Sequence, residues 1–219
     1  LVTVLNILIF FHPSKKVWLE RSKKNTFFVW RMSNRIGRKI RNEFGNKYDC
    51  ILLFEALYSP GLRRNLCKPY VVYEDTTSAL ARKMWPEWVP STMMSPSYRR
   101  LERDFYAGAA RIVTSNEQAR SSLIADYGIF DEKVTTIGQG CNMPYSEHLR
   151  ARVDVRRALF VGYDFPRKGG EELLEAFMMV RRKFADAELL VIGPSFELDY
   201  PGVRCLGRIK DKKKLCEIY

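Results

Sequence analysis

The sequence is poor in the residues from which metal sites and Ser-His-Asp sites are usually built. Its 219 residues include two histidines, His12 and His148, and five cysteines. The cysteines are odd in number, far apart and without a C-x-x-C pair, which argues against a disulfide framework and against a zinc site. We therefore expect reduced thiols, a cytoplasmic location and no bound metal, and a Ser-His-Asp site is disfavoured.

Two common nucleotide-binding motifs and a long apolar run are also absent. Neither G-x-x-x-x-G-K-[ST] nor G-x-G-x-x-G occurs, which argues against a P-loop NTPase and against an NAD-binding motif. The apolar opening LVTVLNILIFF stops at His12-Pro13, after about half the length that a membrane-spanning helix requires. We interpret it as a strand of a domain whose beginning is missing, and a signal-peptide core or truncated membrane anchor is the alternative.

What the sequence does contain is the apolar share of a globular protein and an excess of basic residues. Apolar residues make up 46%, and 219 residues suffice for one large or two modest domains. The formal net charge of +12 favours anionic partners, such as nucleotides, nucleic acid or an acidic membrane surface. Charge alone does not choose among these three.

Residues 158–184 combine a strand, a glycine-containing loop and a helix. The apolar run 158–161 is too short for a helix and meets Gly162 at once, which predicts a buried strand ending in a turn. Apolar residues then recur at helical spacing, with acidic residues in the first turn and basic residues in the last, as the helix dipole favours. The loop YDFPRKGG lies between the two elements.

This loop is a candidate site for an anion. Gly169 and Gly170 have no side chains, so backbone N–H groups at the helix N-terminus are expected to be free to approach a ligand. Lys168 adds a full positive charge beside them, and the predicted ligand is a phosphate or diphosphate. An ordinary glycine-rich turn is the alternative, because every doubly wound sheet contains such turns.

A second candidate site follows the predicted strand 70–73. Glu74 and Asp75 lie at its carboxyl end, where the side chains of a parallel sheet face the ligand crevice. One of them is expected to bind a substrate hydroxyl, and capping of the following turn is the alternative. Residues 82–97, rich in proline and tryptophan, predict a structured loop that serves as a substrate lid or an acceptor-side wall.

Residues 27–44 predict a basic amphipathic helix. Val29, Met32, Ile36, Ile40 and Phe44 lie along one face, basic residues cover the rest, and Gly37 interrupts the helix. Packing of the apolar stripe on the protein's own sheet is one interpretation. Docking onto anionic lipid, which Trp30 beside the stripe would suit, is the other.

The remaining elements alternate between strand and helix. We predict a strand within residues 47–57, a helix over 98–110, and strands over 111–115 and within 133–140. Ser115 and Gln118 form an S-x-x-Q capping box for a further helix, which ends at Tyr127-Gly128. Residues 142–157 are polar and aperiodic, as in an interdomain linker.

Several short motifs share the order found in one large enzyme family. TSNEQARSSLIADYGIFDEKVTTIGQG, LFVGYDFPRKGGEELLEAF and AELLVIGP closely resemble the retaining glycosyltransferases of the GT-B fold, in family four, which includes sucrose synthases and bacterial mannosyltransferases. The resemblance covers residues 68–219 and is strongest from Arg111 onward. It implies an α/β fold of two Rossmann-like domains: an acceptor-side domain over 1–145, a linker over 146–157, and a partial nucleotide-sugar-binding domain over 158–219.

The resemblance also assigns roles to individual residues. Lys168 matches the family lysine that contacts the donor diphosphate, and Gly162 matches the glycine that lets the nucleotide come close. Such a cation stabilises the charge that develops on a leaving diphosphate, and it does so without a metal. The further candidates around the same nucleotide are Arg167, Gly169, Gly170 and Gly193.

The sequence departs from the family pattern in several places. Tyr163 stands where many relatives have a second diphosphate-binding arginine. Glu74 and Asp75 stand near the position of an expected histidine. The chain also stops at Tyr219, before the pair of glutamates with which the family holds the donor sugar.

The leading hypothesis is a partial glycosyltransferase that moves a sugar from a nucleotide-sugar to an acceptor with retention at the anomeric carbon. It needs no cofactor, since the nucleotide-sugar is a co-substrate, and the expected acceptor is a glycan or a lipid-linked molecule. An anionic membrane surface is a further expected partner. The alternative is a non-catalytic remnant or a basic module that binds membrane or nucleic acid, although the absence of RNP-like aromatic motifs disfavours sequence-specific nucleic-acid binding.

Overall fold

A computed structural model describes residues 9–45, 47–55, 68–140 and 156–218. The chain divides into two compact units, Leu1–Gly140 and Cys141–Tyr219. Each unit contains a parallel sheet with helices in the connections between strands, which is the α/β organisation that the sequence predicts. Most of the predicted opening strand, on residues 1–8, and most of the predicted linker, on residues 142–155, lie outside the described residues.

The first unit is organised around a four-stranded parallel sheet. Its strands lie side by side in the order of the sequence: β1 (Ile51–Phe54), β2 (Tyr70–Glu74), β3 (Arg111–Thr114) and β4 (Val134–Thr136). These strands confirm the four that the sequence predicts in this region. Because all of them run in one direction, their carboxyl ends lie at one edge, where α/β proteins bind their ligands.

The helices of the first unit cover this sheet and extend beyond it. In the described part they are α1 (Lys15–Lys23), α2 (Thr26–Phe44), α3 (Ser78–Met84), α4 (Pro96–Gly108) and α5 (Glu117–Tyr127). The core joins the sheet to α4 and α5 through fully buried side chains, among them Val72, Ile112 and Leu123. The ring of Tyr70 also stacks on Phe105 of α4, with the ring centroids 5.2 Å apart.

One helix, α5, has its N-cap one residue later than the predicted capping box places it. Helix α5 begins after Asn116, whose Oδ1 accepts a hydrogen bond from the N–H of Ala119 at 2.8 Å. Ser115 does not cap the helix, because its backbone still belongs to the sheet edge: its N–H donates to the carbonyl oxygen of Glu74 at 3.2 Å. The predicted end of α5 is confirmed, since Gly128 follows it with a left-handed φ of 66°.

Residues 82–97 form compact turns rather than an open loop. Helix α3 extends to Met84, α4 begins at Pro96, and two short 3-10 turns lie between them, Pro86–Trp88 and Ser91–Met94. Buried side chains from this segment join a small core with α2 and α4 that includes Val29, Val89, Met93 and Tyr98. The prediction of a structured connection is confirmed, and its use as a lid or an acceptor wall stays a prediction.

The buried side of helix α2 consists of small residues. Val29, Ser33 and Gly37 are its buried residues. Most of the predicted apolar stripe lies beside them and is only partly buried (Met32, Ile36 and Ile40), while Phe44 is 52% exposed. The predicted interruption at Gly37 is wrong: the helix is continuous, because close packing on its buried side offsets the low helix propensity of glycine.

The second unit has a three-stranded parallel sheet in the order β5 (Arg157–Val161), β6 (Glu188–Ile192), β7 (Val203–Gly207). Helix α6 (Gly170–Lys183) connects β5 to β6, and α7 (Lys212–Ile218) follows β7. Leu174 and Phe177 of α6 pack with β6 and with Phe165 of the preceding loop. The predicted strand, loop and helix of residues 158–184 are thus confirmed.

Candidate functional site

Each strand of the second unit reaches the carboxyl edge of its sheet at a glycine. Gly162 follows β5, Gly193 follows β6, and β7 ends at Gly207. The N–H of Gly162 donates to the carbonyl oxygen of Ile192 at 2.9 Å, and the N–H of Gly193 donates to that of Gly207 at 2.9 Å. A row of residues without side chains therefore forms the rim of the sheet, which we call the glycine rim (Gly162, Gly193 and Gly207).

Gly193 occupies a position that only glycine fits. Its φ is +123°, which L side chains rarely adopt, and a Cβ would lie 2.2 Å from the carbonyl oxygen of Gly162. A Cβ on Gly162 would in turn lie 2.8 Å from Cδ of Lys168 and 2.9 Å from the ring of Phe160. The turns after β5 and β6 can therefore approach each other closely, and the stem of Lys168 lies against Gly162.

The loop between β5 and α6 is held together by its own backbone. Three consecutive N–H groups, those of Lys168, Gly169 and Gly170, donate to carbonyl oxygens of Asp164, Pro166 and Phe165 at 3.1, 3.0 and 2.8 Å. The N–H groups of Gly169 and Gly170 themselves are therefore not free for a ligand, and binding of an anion at the start of α6 stays a prediction. These N–H groups instead form hydrogen bonds within the loop, and the bonds fix the backbone from which the Lys168 side chain extends.

Phe165 anchors the same loop, a role that sequence reasoning missed. Its ring is 2% exposed and meets the rings of Phe160 and Phe196 edge-on, with centroids 5.0 and 5.7 Å away. A Cβ on Gly170 would lie 2.5 Å from the Phe165 ring, so Gly170 brings the start of α6 against that ring. The available signal was a single aromatic residue after Tyr163 within a polar loop.

A cleft of about 420 Å³ lies over the glycine rim. Two cationic side chains, Lys168 and Arg208, are among its lining residues, and none of those residues is acidic. Its apolar lining residues are Val161, Ile192, Ile209 and Leu215. The cleft therefore offers positive charge beside apolar surface, which suits a ligand that has an anionic part and a flat apolar part.

Arg208 was not among the predicted site residues. It directly follows Gly207, whose φ is 60°, and it therefore stands at the end of β7. The signal in the sequence was a basic residue immediately after a strand-ending glycine, in LGRIK. Arg167, by contrast, pairs at the surface with Asp164: its Nε donates to Oδ2 at 3.0 Å, and it does not occur among the lining residues of the cleft.

Glu74 and Asp75 belong to the first unit and differ in accessibility. Glu74 is 1% exposed, so its carboxyl lies inside the unit rather than at the crevice. Asp75 is half-buried, and its carbonyl oxygen accepts a hydrogen bond from Nδ2 of Asn116 at 2.9 Å. The capping alternative is wrong for both, because Thr77 caps α3 by accepting from the N–H of Leu80 at 3.0 Å.

The carboxyl of Glu74 belongs to a buried polar cluster. Its Oε2 accepts from the hydroxyl of Tyr106 at 2.9 Å. Nearby, Oε1 of Glu102 accepts from the Ser78 hydroxyl at 2.6 Å, and its Oε2 accepts from the Tyr127 hydroxyl at 3.0 Å. The rings of Tyr106 and Tyr127 meet edge-on at 5.1 Å and link the two halves of the cluster.

Burial decides the charge of both glutamates. It raises the pKa of Glu74 to about 8, with neighbouring carboxyls adding to the effect and the Tyr106 hydrogen bond opposing it. Burial also raises the pKa of Glu102 to about 7, against the hydrogen bonds from Ser78 and Tyr127. Glu74 is therefore largely protonated at neutral pH and is a poor candidate for a general base there.

Three further observations concern metals, thiols and membranes. Over the described ranges, no group of three or more His, Cys, Asp or Glu side chains is placed to hold a metal ion. Among the described cysteines, Cys50, Cys205 and Cys216 form no disulfide. Among the helices of the described residues, none combines the length and the apolar character needed to cross a bilayer.

Comparisons with known proteins bear on the fold. No protein-family model matches the chain, and no curated protein matches it significantly. Among solved structures, a glycosyltransferase from Rickettsia africae ESF-5 is similar with a TM-score of 0.53 and 14% identity, over 88% of this chain and 54% of that one. A UDP-N-acetylglucosamine 2-epimerase from Rickettsia bellii gives a TM-score of 0.46 and 15% identity, over 99% of this chain and 61% of that one.

The similarity to the glycosyltransferase concerns architecture. The chain spans about half the length of that protein, at 54% coverage, and the low identity makes the likeness one of fold alone. It agrees with the two parallel sheets and their helices described above. The predicted fold class is confirmed: the chain is an α/β protein with Rossmann-like parallel sheets of the GT-B type.

Proposed function

We propose that this chain forms part of a glycosyltransferase that moves a sugar from a nucleotide-sugar to an acceptor with retention at the anomeric carbon. The observation that carries the proposal is the cleft over the glycine rim, where Lys168 and Arg208 line the same space as an apolar surface. The fold similarity to a glycosyltransferase of Rickettsia africae supports it.

In this proposal Lys168 contacts the donor diphosphate. Its stem lies against Gly162, and the self-bonded turn from Asp164 to Gly170 fixes the backbone from which it extends. A cation held beside the leaving diphosphate stabilises the negative charge that develops as the glycosidic bond to the nucleotide breaks. The effect is larger on the transition state than on the bound donor, so it accelerates transfer.

Arg208 is proposed as the second positively charged residue, besides Lys168, that contacts the donor diphosphate. Tyr163, which follows Gly162, is 79% exposed and stands where related glycosyltransferases carry a second arginine. In this chain Arg208 brings a positive charge to the cleft from β7 instead. The glycine rim lets the nucleotide backbone approach the sheet, and the apolar lining packs against its base and ribose.

The acceptor side is proposed for the first unit. Asp75 is the partly exposed carboxyl at the carboxyl edge of its sheet, and it is the better candidate for an acceptor hydroxyl than the buried Glu74. The proposed acceptor is a glycan or a lipid-linked molecule. The proposed location is the cytoplasm, where the cysteines Cys50, Cys205 and Cys216, which form no disulfide among the described residues, would stay reduced.

The experiment is a thermal-shift titration of the chain with UDP, GDP and ADP, with inorganic diphosphate as the control. One nucleotide is expected to raise the melting temperature more than diphosphate does, because only a nucleotide also covers the apolar lining of the cleft. At a hundred times the dissociation constant the stabilisation amounts to about 2.7 kcal/mol. Equal shifts with all four compounds would identify a basic module that binds anions without selecting a nucleotide, and no shift with any of them would contradict the proposal for this chain.

A further inference from the structure

The outward side of helix α2 carries a dense set of exposed basic and aromatic side chains. We define the outer face of α2 by its exposed residues Phe27, Trp30, Arg31, Arg35, Arg38 and Arg41. At 100° per residue they fall within a sector of about 140°, which points away from the buried Val29 and adjoins the buried Gly37 at its Trp30 edge. Because its residues run from Phe27 to Arg41, this face extends over roughly 21 Å.

The helix that bears this face is held firmly by the first unit. Val29, on the buried side, is fully buried in the small core with Met93 and Tyr98. At the start of α2, the hydroxyl of Thr26 lies 3.3 Å from that of Ser95, and the hydroxyl of Thr92 donates to the carbonyl oxygen of Lys24. The buried side is therefore occupied by the protein itself, and the outer face points to solvent.

Three arginines of the outer face carry charge that the described part of the unit does not neutralise. Across the described ranges, no acidic side chain forms an ion pair with Arg31, Arg35 or Arg38. The acid of α2, Glu43, pairs with Lys39 at 3.7 Å, on the flank of the helix. The arginines thus leave a strip of positive charge available to an anionic partner.

Exposed apolar side chains lie next to this strip. Phe27 is 44% exposed and Trp30 is 45% exposed, both in the first turns of α2. At 100° per residue both belong to the same sector as Arg31 and Arg38, so aromatic and basic side chains share one side of the helix.

We propose that the outer face of α2 docks onto an anionic lipid bilayer. The arginines contact the charged headgroups, while Phe27 and Trp30 enter the boundary between headgroups and acyl chains. Nucleic acid presents the same charge, and aromatic rings can stack on bases. Basic side chains together with Trp and Phe on one exposed helix are, however, the set with which interfacial helices bind the headgroup boundary, so the side chains favour a bilayer. This inference does not rest on the nucleotide-binding cleft.

The first test measures binding of the 219-residue chain to vesicles. We expect binding to vesicles of phosphatidylcholine mixed with phosphatidylserine, and none to phosphatidylcholine alone. The double variant Arg35→Glu/Arg38→Glu should lower the partition coefficient about a hundredfold, since each basic residue near the surface contributes substantially. A parent chain that does not bind the mixed vesicles overturns the proposal.

The matched control is Arg100→Glu/Arg103→Glu. These arginines are exposed on α4 with the same spacing of three residues, so the change in net charge is identical. We expect this variant to bind within about threefold of the parent, because membrane affinity depends on charge near the surface rather than on total charge. An equal loss in both variants would show that binding follows overall charge and has no defined surface.

The second test separates a bilayer from nucleic acid. Trp30→Ser should weaken binding to mixed vesicles at raised salt, where screening leaves the inserted side chains to carry the affinity. Circular dichroism of the variant checks that α2 stays folded. The same chain is titrated with poly(U) RNA. Unchanged vesicle binding by Trp30→Ser, together with tighter binding to RNA than to vesicles, would assign the outer face of α2 to nucleic acid and overturn the proposal.

Discussion

The hydroxyl of Tyr106 donates a 2.9 Å hydrogen bond to a glutamate, Glu74, whose carboxyl is 1% exposed. Glu74 stands at the carboxyl end of β2, a position that in an α/β sheet points to ligand chemistry. Here α4 brings Tyr106 over the end of the strand, and the carboxyl becomes part of the core. The position of Glu74 at the end of a strand indicates where a ligand site can form. Whether its side chain is exposed at that site depends on the packing of α4, a helix that is distant in the sequence.

We predict that the free energy of unfolding falls as the pH rises from about 4.5 to about 8. The pKa of Glu74 rises from its ordinary value of 4.5 to about 8 on folding, and that of Glu102 to about 7. Between these values the folded state binds more protons than the unfolded state, so raising the pH favours unfolding. For Glu74 the loss is on the order of 5 kcal/mol, to be measured by urea denaturation across this pH range.

Glu74→Gln tests the assignment, because glutamine keeps the acceptor for Tyr106 and cannot ionise. The variant should be more stable than the parent above pH 8, and the slope that remains should flatten as the pH rises past the pKa of Glu102, about 7. Glu87→Gln, at an exposed carboxyl of the same unit, controls for the loss of a surface carboxyl. A Glu74→Gln variant with the full slope of the parent would show that Glu74 is not the group responsible.

Local signals in the sequence were sufficient for several elements of the fold, although α1, α3 and α7 were not predicted. The strand, loop and helix of residues 158–184 and the end of α5 at Gly128 follow from apolar spacing, helix-end charges and a glycine in the left-handed region. These features depend on residues that are neighbours in the chain. Strands that alternate with helices along the sequence also predict parallel sheets, as the structure shows.

Features that depend on residues far apart in the sequence were missed. Arg208 enters the cleft because β7 pairs with β6 and ends beside it, a register that no local pattern encodes. The N–H groups of Gly169 and Gly170 are consumed by a turn that forms because Phe165 is drawn into the core. In both cases tertiary packing, rather than propensity, determines which groups face a ligand.

We predict that Asn116→Ala destabilises the first unit by about 1 kcal/mol, the usual cost of losing an N-cap. The variant loses the bond from the N–H of Ala119 and also the bond from Nδ2 to the carbonyl oxygen of Asp75. Urea denaturation gives the change in free energy. Ser115→Ala is the matched control and should cost less, because Ser115 is not the cap; the reverse order of the two variants would restore the capping box expected from the sequence.

We predict that Gly193→Ala destabilises the second unit by about 3 kcal/mol. Alanine would have to adopt a φ of +123° and place its Cβ 2.2 Å from the carbonyl oxygen of Gly162. Gly140→Ala is the control, since no atom of the described residues lies within 4 Å of its added Cβ and its φ is not in the left-handed region. Thermal unfolding of both variants measures the difference, and similar melting temperatures would mean that the turns after β5 and β6 do not need their close approach.

We predict that Lys168→Ala weakens binding of a nucleoside diphosphate by about tenfold to a hundredfold. A charge-assisted hydrogen bond to phosphate is worth about 1.5–3 kcal/mol, and Lys168 lines the cleft with an exposed side chain. Arg208→Ala should have an effect of similar size. Isothermal titration with UDP, GDP and ADP measures affinity, and a thermal scan should show little change in stability, because neither side chain is in the core.

Lys210→Ala provides the matched control for these two variants. Lys210 is exposed two residues beyond Arg208 and carries the same charge as Lys168, but it is not among the residues that line the cleft. If the nucleotide binds over the glycine rim, this variant keeps the affinity of the parent, because a surface charge outside the cleft is screened by solvent and salt. Equal weakening by Lys168→Ala and Lys210→Ala would instead indicate attraction by net charge alone, and unchanged affinity in Lys168→Ala would remove that lysine from the site.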